Sequence, residues 1–133
     1  MFRRALQADP KALRFYHEAQ GGGLNRKSKA IYAMVRDFRS RGGLIAGVGL
    51  QMHIPNLNAD IAAIAANIAR LTALGVQVHI TEIDVSLPVD SNGMLQAENL
   101  TRQADVYRGI VRACLNSSGC TAIQTWGFTD KYS

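Results

Sequence analysis

The chain has 133 residues, 47% hydrophobic and 19% charged, with a net charge of +5. Those values describe one domain of ordinary size and exclude a disordered tail or a coiled-coil rod. No apolar run approaches the roughly 20 residues of a membrane helix. The first ten residues, Met1 to Pro10, hold no apolar signal-peptide core. The basic residues are dispersed over Arg3/Arg4, Arg26/Lys27/Lys29, Arg36/Arg39/Arg41 and Arg102/Arg108/Arg112. Most fall at the spacing of solvated helix faces, without interleaved aromatics, so no nucleic-acid partner is expected.

In chain order, residues 1–8 read as the end of a helix stopped by Asp9-Pro10. Ala12–Tyr16 reads as a short strand and Gly21-Gly22-Gly23 as a loop. A helix follows with Ser28 as its cap and Ile31, Met34, Val35 and Phe38 on one face, ended by Gly42-Gly43. Ala46–His53 is the second strand. Pro55 breaks it, and Asn58 caps a helix in which Ile61, Ile64, Ile68 and Leu71 recur until Gly75. Val76–Val85 is the third strand, and a loop with Pro88 and Asn92-Gly93 follows. A long helix presents Leu100, Ala104, Tyr107, Val111 and Cys114. Ala122–Trp126 is the last strand.

Strands that begin at residues 12, 46, 76 and 122 alternate with helices, which implies a parallel sheet with crossover connections. There is no G-x-G-x-x-G or G-x-x-x-x-G-K-[ST] phosphate loop. Polar residues gather instead at the strands' C-terminal ends: His17 and Glu18, Gln51 and His53, Glu82 and Asp84, Trp126 and Asp130. That is where the active site of a (β/α)8 barrel lies, although a whole barrel takes about 250 residues. The chain reads as half a barrel, opening inside a helix and stopping at Ser133.

Strict alternation along Val76–Val85 puts Val78, Ile80, Glu82 and Asp84 on one face. Two acids on a covered strand are costly unless paired or functional. Either they bond arginine or backbone donors at the rim, or they do chemistry. In the second strand, Gly47, Gly49, Gln51 and His53 share a face. A barrel neighbour would set His53 beside Glu82 or Asp84, where one carboxylate fixes the ring's tautomer and the other nitrogen supports the second acid. The alternative is a capping histidine satisfied by a loop. His79, at an odd position, is expected to point away from Glu82 and to pack as a structural residue. His17 follows the first strand and is a candidate ligand contact. Trp126, the only tryptophan, is either core or an aromatic platform for a sugar face. Cys114 and Cys120 lack metal-site spacing. They form either a small disulfide loop in an exported protein or two buried thiols. No metal or cofactor is implied.

At these positions the chain resembles glycoside hydrolase family 10, the endo-β-1,4-xylanases. The matching segments are Ala8-Asp9-Pro10, Phe15-Tyr16, Gly47-Val48-Gly49-Leu50-Gln51-Met52-His53, Thr81-Glu82-Ile83-Asp84-Val85 and the run from Thr125 to Ser133. The resemblance implies an α/β fold in which these four strands are the fifth to eighth of a TIM (β/α)8 barrel, residues 1–133 being the C-terminal half of its catalytic domain. It implies Glu82 as nucleophile, His53 and Asp84 as its support, and Gln51 and Trp126 bounding the sugar at the cleavage point. It also implies a Cys114–Cys120 disulfide, a secreted protein, and xylan and xylo-oligosaccharides as ligands.

The family's acid/base glutamate lies in a W-D-V-x-N-E stretch that does not occur here. The chain is therefore expected to need the missing N-terminal half of the barrel and to be inactive alone. The family often has Asn-[DE]-Tyr where this chain has His17-Glu18-Ala19. The alternatives are a non-catalytic xylan-binding half-barrel and a related retaining β-glycanase acting on cellulose.

Overall fold

Strands and helices alternate through residues 2–127 and 129, the part that the computed structural model describes. The order is α1 (Phe2–Ala8), β1 (Phe15–Ala19), α2 (Arg26–Ser40), β2 (Gly47–Ile54), a 3₁₀ turn (Pro55–Leu57), α3 (Ile61–Thr72), β3 (Gln77–Val85), α4 (Ala97–Leu115) and β4 (Cys120–Thr125). All neighbouring strands pair in parallel, in the order β1-β2-β3-β4. Each crossover carries a helix, which is the connection parallel neighbours require.

The core lies between the sheet and its helices. Val48, Leu50 and Met52 of β2 and Val78, Ile80 and Ile83 of β3 are buried there. Opposite them lie Ile31 and Val35 of α2, Ile64, Ile68 and Leu71 of α3, and Ile110, Ala113 and Cys114 of α4. The apolar rhythm read from the sequence therefore places α2 and α3 correctly, except that Met34 is exposed. In α4 the buried stripe is turned: Leu100 and Ala104 are exposed, and Asn99, Ile110, Ala113 and Cys114 are covered.

The caps differ from the sequence reading. Asn25, not Ser28, caps α2. Its side chain accepts the Ser28 N–H at 2.8 Å, and the Ser28 hydroxyl accepts the Asn25 N–H at 2.9 Å. That reciprocal pair is a capping box with serine in the third helical position. Asp60, not Asn58, caps α3 by accepting the Ala63 N–H, and Asn58 closes the 3₁₀ turn.

β1 begins three residues later than expected. Asp9 folds residues 9–12 into a turn by accepting the Lys11 N–H, and the Arg14 guanidinium bonds the Leu44 and Ala12 carbonyls. His17 and Glu18 consequently lie inside β1, not after it.

A buried polar knot fixes the glycine loop after β1. Asn67 of α3, fully buried, donates to the Gly21 and Gly22 carbonyls and accepts from Arg70, whose guanidinium also donates to Ser28. Every partner is satisfied, so the burial costs little. At the outer side of β1, the Lys27 ammonium lies 2.5 Å from Glu18 and holds its carboxyl below the usual range, with the Tyr16 hydroxyl donating at 2.8 Å. The same bond raises the Tyr16 hydroxyl.

Cys114 and Cys120 form a disulfide across the end of α4 and the start of β4, with Cα atoms 5.1 Å apart. Ser117 accepts the Cys120 N–H through its carbonyl, closing the turn between them. Phe128 and the residues from Asp130 to Ser133, which carry part of the sequence resemblance, lie outside the described residues.

Two tests follow from this packing. Reducing the disulfide reopens a short loop and should lower stability by about 2 kcal/mol, read as a shifted urea midpoint against the oxidised chain. Thiol titration of unreduced protein should find none free. A carboxyl held low in the folded state contributes stability above its unfolded value and loses it as pH falls. Lys27 is 46% exposed, so solvent keeps the Glu18 contribution below about 1 kcal/mol. Glu18→Gln should therefore flatten the fall in urea midpoint below about pH 5.

Candidate active site

The site grows from an irregularity in β3. Leu50 of β2 faces Ile80, but the next residue, Gln51, faces Glu82, so Thr81 is an extra residue in β3. The shift recurs toward β4, where Ile80 faces Ile123 and Ile83 faces Thr125. Such a bulge breaks the strict alternation of the strand. Before it Val78 and Ile80 are buried under the helices; after it Ile83 and Val85 are. Glu82 and Asp84 thus leave the helix-covered side. The expectation that they share a face with Val78 and Ile80 is overturned, because the extra residue changes the strand's parity.

The same bulge corrects His79. It sits on the side that carries His17 and Thr81, stacked at 4.1 Å on the ring of Phe15, and its Nε2 lies 2.9 Å from the Thr121 hydroxyl. It packs, as expected, but does not point away from the site's side of the sheet. Burial lowers its pKa from the ordinary 6.5.

His53, at the end of β2, stands between the two acids. Its Nδ1 lies 3.0 Å from Asp84 Oδ2 and its Nε2 lies 3.2 Å from Glu82 Oε2. Each ring nitrogen faces one carboxylate, so either both carry N–H or one acid holds the second proton. Glu82 is the most enclosed of the three, with its side chain 14% exposed against 32% for Asp84 and 40% for His53. His17 reaches the same carboxylate from β1. Its Nε2 is hydrogen-bonded to the Thr81 hydroxyl and lies 3.6 Å from Glu82 Oε1.

That reach depends on an absent side chain. His17 pairs in register with Gly49 of β2. A Cβ on Gly49 would lie 2.8 Å from the His17 ring and 2.9 Å from the Thr81 methyl. One layer below, Phe15 reaches His79 across Gly47 in the same way. The two glycines let β1 side chains cross β2 and meet β3.

Trp126 follows β4, its backbone N–H donating to the Ile83 carbonyl. Its ring stands edge-on to His53 at 5.9 Å and is half exposed. It is a rim residue, not core. Gln51 faces Glu82 in register and is partly buried. A cavity of about 260 Å³ opens beside Gln51 and His53. A larger one of about 720 Å³ runs from Asp84 and Trp126 to Leu87, Leu95 and Tyr107.

Thr81 and this larger cavity were not anticipated. The buried series 78, 80, 83, 85 carries the bulge in its broken rhythm, and Leu87, Val89 and Leu95 are the apolar signal within the loop. The backbone at the rim is unusual: Gln20, Asn56 and Leu57 have φ of 61°, 49° and 62°. Asn25 holds the first through the Gln20 carbonyl, and the Ser86 hydroxyl holds the second through the Asn56 N–H. Strained residues persist only where their surroundings fix them, and they cluster at functional rims.

The whole chain, residues 1–133, matches the sequence pattern of glycosyl hydrolase family 10. The chain belongs to that family. It is 40% identical to endo-1,4-beta-xylanase B of Thermotoga neapolitana over 97% of its own length and 36% of the relative's. It is 37% identical to endo-1,4-beta-xylanase D of Talaromyces funiculosus over 99% of its length and 32% of the relative's. The solved structure of xylanase 10B from Thermotoga petrophila RKU-1, in complex with xylobiose, superposes with a TM-score of 0.91 at 36% identity, covering 99% of this chain and 39% of that one. The four strands and their helices are thus part of a (β/α)8 barrel, and the chain spans about a third of the length of these two curated relatives.

Gly49→Ala should disturb the site from below. The added methyl meets two side chains at once, and overpacking of this kind costs about 1–3 kcal/mol. A urea midpoint unchanged from the unaltered chain would contradict the crossing of His17 over Gly49.

Proposed function

We propose that the chain is the nucleophile-bearing half of a retaining glycoside hydrolase that cuts internal β-1,4-xylosidic bonds of xylan. The observation that carries the reading is the single imidazole of His53 held between Asp84 and Glu82 at the C-terminal ends of neighbouring parallel strands. The substrate class rests on the two xylanases and the xylobiose-bound structure to which the chain is similar.

In this mechanism the Glu82 carboxylate attacks the anomeric carbon and forms a glycosyl ester as the glycosidic C–O bond breaks. A second carboxylic acid, about 5–5.5 Å away in retaining enzymes, protonates the departing oxygen. The same group then removes a proton from water, which attacks the ester and releases the sugar with its original anomeric configuration. This chain supplies the nucleophile. The acid belongs to the part of the barrel that carries the family's W-D-V-x-N-E stretch.

His53 serves the nucleophile by holding one oxygen of Glu82 through Nε2 while Asp84 fixes the ring through Nδ1. Trp126 offers a half-exposed aromatic ring beside the imidazole, whose face suits the C–H face of a xylose ring, and Gln51 offers an amide at the same rim. The half-exposed catalytic rim suits an extended polymer. The disulfide suits folding in an oxidising compartment, consistent with a secreted enzyme.

A purely binding half-barrel is disfavoured by the site itself. Sugar binding gives no reason to hold two carboxylates on one imidazole. The test joins this chain to the N-terminal part of the Thermotoga neapolitana relative. The joined protein should hydrolyse xylan with retention, followed by NMR of the first product, and the 133-residue chain alone should not. Glu82→Ala and Glu82→Gln should each lower turnover by several powers of ten. Turnover by the purified chain alone, or an inverted first product, contradicts the mechanism.

A further inference from the structure

His17, a candidate ligand contact by its place in the sequence, stands beside the Glu82 carboxylate. We propose that His17 is a second positioning residue for Glu82, fixing the oxygen that His53 leaves free. The proposal rests on the reading of Glu82 as nucleophile.

Three observations converge on it. His53 engages Oε2 of Glu82, and His17 Nε2 faces Oε1 at 3.6 Å, so the carboxylate has an imidazole beside each oxygen. That spacing exceeds a direct hydrogen bond. His17 therefore acts on Oε1 as a fixed wall and dipole. The ring is itself held, because Nε2 is hydrogen-bonded to the Thr81 hydroxyl, supplied by the extra residue of the β3 bulge. The path of the ring is also built in, since it lies over Gly49, where any side chain would collide with both His17 and Thr81.

A carboxylate free to turn about its Cγ–Cδ bond spends much of its time with neither oxygen aimed at the anomeric carbon. Holding both sides restricts that rotation, which is an orientational contribution to the attack and not to sugar affinity. Among the described residues, the charged and titratable groups that share this side of the sheet around His17 are Glu82, His53 and Asp84, with His79 in register beyond Gly49. Glu18, the sequence neighbour of His17, is engaged with Lys27 and Tyr16. Glu82 is thus the carboxylate that His17 serves.

The test uses the protein joined to the N-terminal part of the Thermotoga neapolitana relative, with an aryl β-xylobioside as substrate. His17→Ala should lower kcat about tenfold and leave KM within about twofold, because orientation is lost and binding is not. His17→Asn, which restores a polar amide over Gly49 without the ring, should recover most of kcat. A KM raised about tenfold at unchanged kcat would instead make His17 a sugar contact and overturn the proposal. Unchanged kcat and KM would also overturn it.

A second readout is independent of turnover. The ¹⁵N resonances of the His17 ring should move on Glu82→Gln, and identical spectra would refute the contact. If the unaltered joined protein fails to cleave xylan while those resonances do move, the proposed function falls and the contact stands.

Discussion

One extra residue in β3 decides where the acids go. Without Thr81 as a bulge, the alternation set by Val78 and Ile80 would carry Glu82 and Asp84 beneath the helices, among Leu50, Ile68 and Ile110. Two carboxylates there would lack partners, and unpaired buried charge is among the costliest defects a core can hold. The bulge lets Ile83 and Val85 take those covered positions and turns the acids to the other side. It also sets Thr81 against His17. Core packing and site geometry are therefore consequences of the same irregularity.

The glycines of β2 complete the arrangement. A parallel strand with full side chains between β1 and β3 would separate His17 from Glu82. With Gly47 and Gly49 the middle strand is thin on that side, and residues two strands apart meet over it. The helix-facing side of the same strand remains filled by Val48, Leu50 and Met52. One strand thus provides both a packed floor and an open site, by alternating large apolar residues with glycine. The rim loop after β2 is tied to the end of the acid-bearing strand through Ser86, and the loop after β1 is closed onto the start of α2 through Asn25.

Much of this was legible in the residues. The β–α alternation, the parallel order and the covered faces of α2 and α3 follow from apolar periodicity. Gly47, Gly49, Gln51 and His53 fall on one face, as period two requires. The bulge at Thr81 is not legible in this way, because period two carries straight through it. The inference failed for Val78 and Ile80 although the acids themselves still met His53. The start of β1 is not legible in the local sequence, because it is set by a long-range bond from Arg14 to the Leu44 carbonyl. The caps at Asn25 and Asp60 were displaced because several polar residues compete within a few positions, and tertiary packing selects among them. The turned stripe of α4 reflects the loop cavity that leaves Leu100 uncovered.

The central claim is that Glu82 forms a covalent bond to the sugar. The direct measurement is mass spectrometry of the joined protein after reaction with a 2-fluoro aryl β-xylobioside, whose glycosyl ester turns over slowly. The account predicts a single added glycosyl mass located on the peptide that contains Glu82. An unlabelled protein that nevertheless releases the aryl group, or a label on any other residue, would contradict it.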